Sequence, residues 1–140
     1  MDDMNQQVIE DFRANDGAVD VAAGGFFKGK PVLILHNTGA RTGKQRTNPL
    51  VYATHDGSYV VVASKGGAAN DPHWLLNVRA NPDVTVEVGT EKFPARATIV
   101  EDGPLRDELY AKLVAIMDQF AEYEANTARR IPVVVLDRAG

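Results

Sequence analysis

The sequence predicts an α+β domain with about six mainly antiparallel strands, whose sheet curls into a small barrel with flanking helices. Two observations predict this class. Short runs rich in β-branched residues recur along the chain, and turn signals join several of them as hairpins. Helical patterns interrupt the hairpins instead of following every strand. The second observation weighs against a doubly wound parallel sheet, which needs regular strand and helix alternation.

The composition fits one compact domain and excludes several kinds of site. The chain has 140 residues, of which 44% are hydrophobic and 24% charged. It contains no cysteine, which excludes disulfides, thiolate metal sites and cysteine nucleophiles. The net charge of −4 argues against nucleic acid as a partner, because no general positive field is present. Without a signal-peptide pattern or an apolar run of roughly 18 residues, we expect a cytoplasmic protein.

The start of the chain is predicted to form a segment of its own. Four apolar residues at helical spacing indicate a short amphipathic helix: Met4, Val8, Ile9 and Phe12. We predict an N-terminal helix and mobile arm over residues 1–25 and a single barrel domain over residues 26–140. The apolar face of the helix has three alternatives, since it can pack on the body, lie on a membrane surface or fold over a ligand.

Three apolar runs predict the first strands of the barrel, at residues 32–35, 48–53 and 58–63. The second and third runs are joined through Asp56-Gly57, a strong signal for a two-residue hairpin. These strands are therefore predicted to form an antiparallel meander.

Helices and strands alternate irregularly in the second half. Asp71 is the predicted N-cap of a helix whose first residue is Pro72, because proline suits the first helical position. The predicted elements are a helix over residues 73–79, strands over 84–88 and 92–100, a helix from Pro104, a helical piece over 120–128 and a strand over 133–136.

The loop over residues 38–46 has the composition of an anion site. It combines two glycines with Arg41, Lys44 and Arg46. Glycines let backbone amides turn inward, and arginine offers a planar fork to phosphate or carboxylate oxygens. Residues 28–65 hold six cations and one carboxylate, which favours a polyanion as the ligand. Composition leaves a solvated hairpin, whose charges only maintain solubility, as the alternative.

A second segment, residues 63–74, runs from a strand end to a helix start. Ser64 and two glycines can present a hydroxyl and backbone amides to a ligand, and the helix start adds partial positive charge. Trp74, the only tryptophan, can stack on a ring or pack in the core. Beside the basic loop, this segment favours a flat, charged cofactor over a hydrolytic site.

A third segment, residues 120–132, begins with two aromatic residues. Phe120 and Tyr123 share a helix face, where they can cover a pocket or fill the core. The Tyr123 hydroxyl is a candidate proton donor, although packing is the commoner role of tyrosine. Elsewhere, the three histidines lack metal-ligand spacing, and the adjacent carboxylates of Asp107 and Glu108 lie on a predicted solvated face. We therefore expect neither a metal site nor a glycosidase pair.

Several strings between Pro31 and the C-terminus are specific when taken together. They are TGARTGKQRTNPL at 38–50, ASKGG at 63–67, PHW at 72–74 with Asn77, RANP at 79–82 and RIPVVV at 130–135. With these strings the chain resembles the deazaflavin-dependent nitroreductase family. The resemblance implies a split β-barrel of the flavin-reductase or FMN-binding type and coenzyme F420 as the cofactor.

The resemblance also implies roles for individual residues. Those implied to bind the phosphate and oligoglutamate tail are Arg41, Thr42, Lys44 and Arg46. Those implied to line the rest of the cofactor are Asn48, Pro49, Ser64, Lys65, Gly66, Gly67, Pro72, Trp74 and Asn77. Tyr123 matches a tyrosine near the acceptor, and Tyr123 or Ser64 would donate a hydrogen bond or proton. The chain departs from the family at Thr42, where a basic residue is frequent, and at Phe120, where some nitroreductases have tyrosine.

These observations predict an F420-dependent oxidoreductase that transfers hydride from C5 of the reduced deazaflavin to a quinone, nitro compound or other electron-poor acceptor. The alternative is a non-catalytic protein that binds or carries F420 or a lipid-like ligand. An FMN-dependent oxidase on a similar barrel is less favoured, because the strings resemble the deazaflavin branch. The sequence leaves open a homodimer and peripheral membrane contact through the N-terminal arm.

Overall fold

The computed structural model describes residues 3–65 and 70–139. Its elements are α1 (Asp3–Ala14), a short 3-10 helix (Ala22–Gly25), β1 (Val32–Thr38), β2 (Gln45–Val51), β3 (Ala53–His55), β4 (Ser58–Val62), α2 (His73–Ala80), β5 (Asp83–Val88), β6 (Glu91–Val100), α3 (Pro104–Ile116), α4 (Gln119–Ala125) and β7 (Val133–Arg138). Within those two ranges, no helix has the length and apolar character needed to cross a membrane.

The seven strands form one sheet in the order β2-β1-β5-β6-β7-β4-β3. Every neighbouring pair is antiparallel. The strands β2 and β3 lie at opposite ends of this order, yet Tyr52 alone separates them in the chain. The sheet must therefore curl until its two ends approach each other. The predicted α+β class and barrel are confirmed.

The predicted meander is wrong at one point, and the strand count is seven instead of about six. The single run predicted at 48–53 divides at Tyr52, whose amide donates to the carbonyl of Pro31 at 3.1 Å. Its first part pairs with β1 and its second part with β4. An apolar run shows no bend in its periodicity, so it does not reveal that it serves two strands. The hairpin through Asp56 and Gly57 is confirmed, with φ values of 50° and 84°.

Strand β1 separates two apolar cores. Val32 and Ile34 belong to a core beneath α1 and α3, whereas Leu33 and Leu35 belong to a core that includes α2. Successive side chains point to opposite faces of a strand, so alternate residues enter different cores. Burial on both faces explains why this strand is a continuous apolar run.

Helix α1 is packed on the body of the protein. Val8, Ile9 and Phe12 are buried in the first core. At the helix end, Glu87 accepts hydrogen bonds from Arg13 at 2.8 Å and from His36 at 2.5 Å. Burial raises the pKa of Glu87, but these two hydrogen bonds outweigh burial and the pKa lies below its ordinary value.

The start of α2 differs from the prediction. Pro72 occupies the N-cap position in an extended conformation, and no side chain caps the helix. Asp71, the predicted cap, instead accepts a hydrogen bond from Arg129 at 3.0 Å. The prediction of Asp71 as the cap is therefore wrong, because a distant guanidinium binds this carboxylate.

Candidate functional site

A cavity of about 290 Å³ lies where β2, the end of β4, the start of α2 and helix α4 meet. Helix α1 and the segment before β1 complete its wall. Its lining residues are Asn5, Phe26, Phe27, Asn48, Pro49, Leu50, Val51, Val62, Ser64, Lys65, Pro72, Trp74, Met117, Phe120 and Tyr123. Of the three segments that carried the sequence-based hypothesis, residues 63–74 and 120–132 contribute to this lining, and Asn48 and Pro49 follow the loop over residues 38–46.

The polar part of the wall is the end of β4. Ser64 is buried at 7% exposure, and Lys65 beside it is exposed. Lys65 has a φ of 47°, a left-handed conformation that side chains rarely adopt. Such strain persists only where the surrounding structure holds it, and it concentrates at ligand sites.

The remaining wall is largely apolar and includes five aromatic side chains. Phe26 and Phe27 meet edge to face with ring centroids 5.0 Å apart, and Phe120 and Tyr123 do so at 5.9 Å. Trp74 lines the cavity and also packs in the second core. The sequence left open whether it stacks on a ring or packs in the core, and its position allows both. The wall can therefore cover a flat ring while excluding water.

The basic loop between β1 and β2 lies outside the cavity wall. Its turn is closed by hydrogen bonds from the Gly39 amide to the Lys44 carbonyl at 2.8 Å and from the Gly43 amide to the Gly39 carbonyl at 2.9 Å. The Thr42 hydroxyl accepts from the Lys44 amide at 3.2 Å. Residues 40–46 are exposed. Their cationic side chains therefore extend from an ordered turn into solvent.

Three asparagines connect this loop to the cavity. Asn77 on α2 accepts from the Ala40 amide at 2.9 Å and donates to Asn37 at 2.8 Å. Asn37 in turn donates to Asn48 at 3.0 Å. Buried amides need such partners, so this chain fixes α2, β1 and β2 together. Asn37 was missed in the sequence, where its signal is a lone amide at the end of an apolar strand.

The arginines fall into two groups. Seven form ion pairs with carboxylates: Arg13, Arg79, Arg96, Arg106, Arg129, Arg130 and Arg138. Arg41 and Arg46 of the basic loop and its following strand form no ion pair within residues 3–65 and 70–139. Two guanidinium groups are thus available to an external anion.

Helix α3 supports the aromatic wall from behind. The Tyr110 hydroxyl donates to the Phe120 carbonyl at 2.6 Å, and burial raises the pKa of Tyr110 to about 12. Arg106, only 2% exposed, pairs with Glu124 at 2.6 Å and donates to the Ile131 carbonyl at 3.0 Å. These contacts fix α4 and therefore the positions of its aromatic side chains.

The structure brings together part of the predicted site. The predicted residues that line the cavity are Asn48, Pro49, Ser64, Lys65, Pro72, Trp74 and Tyr123. Those outside its lining are Arg41, Thr42, Lys44 and Arg46 in or beside the basic loop and Asn77 behind it. Gly66 and Gly67 lie outside the described residues. The prediction missed Asn5, Phe26, Phe27 and Met117, because their local sequence carries no binding motif and only the tertiary fold brings them to the cavity.

Comparison with known proteins identifies the family. The F420H(2)-dependent quinone reductase family model matches residues 7–138. The chain belongs to this family. It is 42% identical over 113 residues to an F420H(2)-dependent quinone reductase of Mycobacterium tuberculosis, with 77% of this chain and 74% of that protein covered. The predictions of an F420-dependent oxidoreductase and of coenzyme F420 as its cofactor are therefore confirmed.

Two solved structures are similar to this family member. One is an F420-H2 dependent reductase, with a TM-score of 0.70, 37% identity and coverage of 76% of this chain and 94% of the other. The second is described as a domain-swapped dimer, with a TM-score of 0.72, 30% identity and coverage of 97% and 100%. The split-barrel fold is confirmed by these similarities.

The residues present fit the cofactor that the family uses. The cavity joins an aromatic and proline-rich wall, suited to a flat ring, to Ser64 and Lys65. Arg41 and Arg46 offer guanidinium groups without carboxylate partners in the described part of the chain, as an anionic tail requires. An apolar cavity beside unpaired cations is the arrangement expected for a ligand with one flat end and one anionic end.

Proposed function

We propose that this protein transfers hydride from reduced F420 to a quinone, with the ring of the cofactor and the acceptor both held in the 290 Å³ cavity. The observation that carries the proposal is that aromatic side chains line the same cavity as Ser64 and Lys65. Quinones are flat and electron-poor, and aromatic faces bind such rings by stacking. Nitro compounds share these properties and are a second acceptor class of the same site.

Bound F420 would supply the hydride from its C5, so the protein needs no side-chain nucleophile. The protein orients two rings and excludes water. Pro49, Pro72 and Trp74 would cover the deazaflavin, while Phe26 and Phe120 would cover the acceptor. Holding both rings in contact removes much of the entropic part of the barrier.

A reduced acceptor gains negative charge on oxygen, which a nearby donor stabilises. Tyr123 and Ser64 are the hydroxyl groups of the cavity wall. We place Tyr123 on the acceptor side, because it packs edge to face on Phe120. Ser64 stands next to Lys65 and would donate to the cofactor or to the acceptor oxygen.

The basic loop would hold the anionic end of the cofactor. Arg41, Lys44 and Arg46 would bind the phosphate and oligoglutamate tail by charge-assisted hydrogen bonds. Thr42 supports the turn, since its hydroxyl accepts from the Lys44 amide. Asn77 supports the same loop through Ala40. This division assigns binding to the cations and positioning to Thr42 and Asn77.

The decisive experiment is a fluorescence titration of the purified protein with oxidised F420 and, separately, with FMN, followed by addition of menadione to the reduced F420 complex. Preferential F420 binding with menadione-dependent oxidation supports the proposal. Binding without oxidation would favour a carrier of F420, and preference for FMN would contradict the cofactor assignment. A nitroaromatic acceptor in a parallel assay separates the two acceptor classes.

The assembly and location of the protein are further proposals. A homodimer is supported by the similarity to a structure described as a domain-swapped dimer, and light scattering during size-exclusion chromatography measures it. We also propose peripheral membrane contact through the segment after α1, in which Val21 and Phe26 are exposed. Sedimentation with lipid vesicles, comparing the full chain with a Val21→Ser, Phe26→Ser variant, tests this contact.

A further inference from the structure

We propose that Arg129 is a positioning residue for the cofactor wall, a role that rests on the proposed placement of F420 along Ser64 and Lys65. Arg129 lies after α4, and its side chain is 14% exposed. It ties the end of β4 to the residue before Pro72. Ser64 at the first attachment point lines the cavity, and so does Pro72, which follows Asp71 at the second.

The contacts of Arg129 converge on this wall. Its Nη2 donates to the carbonyls of Ala63 at 3.0 Å and Ser64 at 2.9 Å, and its Nη1 donates to the Asp71 carboxylate at 3.0 Å. The amide of Ala63 also donates to the Pro132 carbonyl at 3.0 Å. The segment after α4 therefore binds the end of β4 through two separate sets of hydrogen bonds, one from Arg129 and one to Pro132.

The hydrogen bond from Arg129 fixes the orientation of the peptide group between Ser64 and Lys65. In a planar trans peptide the carbonyl and the following amide point in opposite directions. Because the Ser64 carbonyl faces Arg129, the Lys65 amide faces away from it. Lys65 also holds a φ of 47°, which the free chain disfavours. Arg129 thereby maintains the local conformation that presents Ser64 and Lys65 to the cavity.

The fork of arginine suits this task better than a lysine ammonium. A guanidinium carries five donors in a rigid plane and binds two carbonyls and a carboxylate at once. Lysine carries its charge at one point on a flexible stem. An Arg129→Lys variant keeps the charge but loses part of this geometry, and an Arg129→Met variant loses both.

Arg130 provides a matched control in the next position. Its side chain is 48% exposed, and it pairs with Asp102 at 3.0 Å and with Asp107. None of these residues lines the cavity. An Arg130→Met variant changes the same residue type and charge as Arg129→Met without touching the wall.

The experiment measures the Kd for oxidised F420 by quenching of the fluorescence of Trp74, together with the thermal midpoint of each unliganded protein. We expect Arg129→Met to raise Kd about tenfold, Arg129→Lys to raise it by less, and Arg130→Met to leave it within about twofold. At saturating F420, we expect Arg129→Met to lower kcat while the KM for menadione stays within about twofold. An unfolded fraction of the protein would also lower kcat without changing KM, but it would leave the Kd for F420 unchanged, so the raised Kd separates the positioning role from a uniform structural defect.

An Arg129→Met protein that folds and binds F420 with the wild-type Kd would overturn the inference, as would equal weakening in Arg129→Met and Arg130→Met. If Arg129→Met does not fold, Arg129→Lys decides in the same way, with a wild-type Kd counting against the role. A parallel Lys65→Met titration tests the placement of F420 along Ser64 and Lys65 separately from the positioning role of Arg129. Wild-type affinity in Lys65→Met removes that side chain from the proposed wall, whereas weakening there with no effect at Arg129 refutes the positioning role alone.

Discussion

The basic loop and the C-terminal half of the chain use arginine in opposite ways. In the C-terminal half, Arg106 and Arg129 are mostly buried and bind carboxylates and carbonyls of the protein itself. In the basic loop and at the start of β2, Arg41 and Arg46 are exposed and make no ion pair within the described ranges. The composition of the surrounding sequence explains why Arg41 and Arg46 lack partners, because residues 28–65 contain a single carboxylate.

This difference separates structural charges from functional ones. A buried guanidinium must be paired, because an unpaired buried charge costs several kcal/mol. An exposed guanidinium stays hydrated and is free to exchange water for an external anion. In this protein, arginines that lack an internal carboxylate therefore indicate the ligand-binding side. We therefore expect substitutions of the buried arginines to change the stability of the protein, and substitutions of Arg41 and Arg46 to change its affinity for F420.

The largest effect is expected at Arg106, which is 2% exposed and binds Glu124 and Ile131. We expect Arg106→Met to lower the free energy of unfolding by about 3 kcal/mol, because the buried Ile131 carbonyl loses its donor and the carboxylates of Asp107 and Glu124 lose a cation. Urea denaturation of the unliganded protein measures this. Arg41→Met is the control and should unfold within about 0.5 kcal/mol of wild type. Equal stability of both variants would contradict the distinction between the groups.

The converse effect is expected in the basic loop. Replacing both Arg41 and Arg46 with Gln removes two charge-assisted contacts, which together contribute about 2 kcal/mol to binding. We therefore expect F420 affinity to fall about thirtyfold. The control ligand is a deazaflavin without phosphate or tail, whose affinity should stay within about twofold. Equal loss for both ligands would show that the loop binds the ring instead of the tail.

The sequence predicted these two regions unequally. The basic loop could be predicted as an anion site from its composition, because its cations and glycines are adjacent in the chain. Arg106 and Arg129 carried no such signal, since their partners lie up to 66 positions away. The same limit explains the misassigned Asp71 and the missed residues Asn5 and Phe26, whose roles depend on contacts between distant segments. Local patterns such as the Asp56 turn were predicted correctly because turn chemistry is local.

Tyr123 stands on the helix that Arg106 supports, and its side chain lines the cavity. If its hydroxyl assists the acceptor, Tyr123→Phe should lower kcat about tenfold, which corresponds to about 1.4 kcal/mol in the barrier. The Kd for F420 should not change, since phenylalanine preserves the ring. Stopped-flow oxidation of bound reduced F420 by menadione measures the step. Undiminished turnover with intact cofactor affinity would remove Tyr123 from the mechanism.

The smallest effect concerns the N-terminal pair of Arg13 and Glu87. The pKa of Glu87 lies below its ordinary value of 4.5, so the folded state binds this proton less readily than the unfolded state. The associated stability is present above pH 4.5 and is lost as pH falls through the folded pKa. The difference in unfolding free energy between wild type and Glu87→Gln should therefore shrink as pH falls below 4.5. A Glu91→Gln variant is the control for an ion pair in solvent, since that carboxylate is 64% exposed in its pair with Arg138. A constant difference between wild type and Glu87→Gln across this range would mean that the ion pair at the end of α1 does not stabilise the fold, and that its apolar face alone attaches the helix.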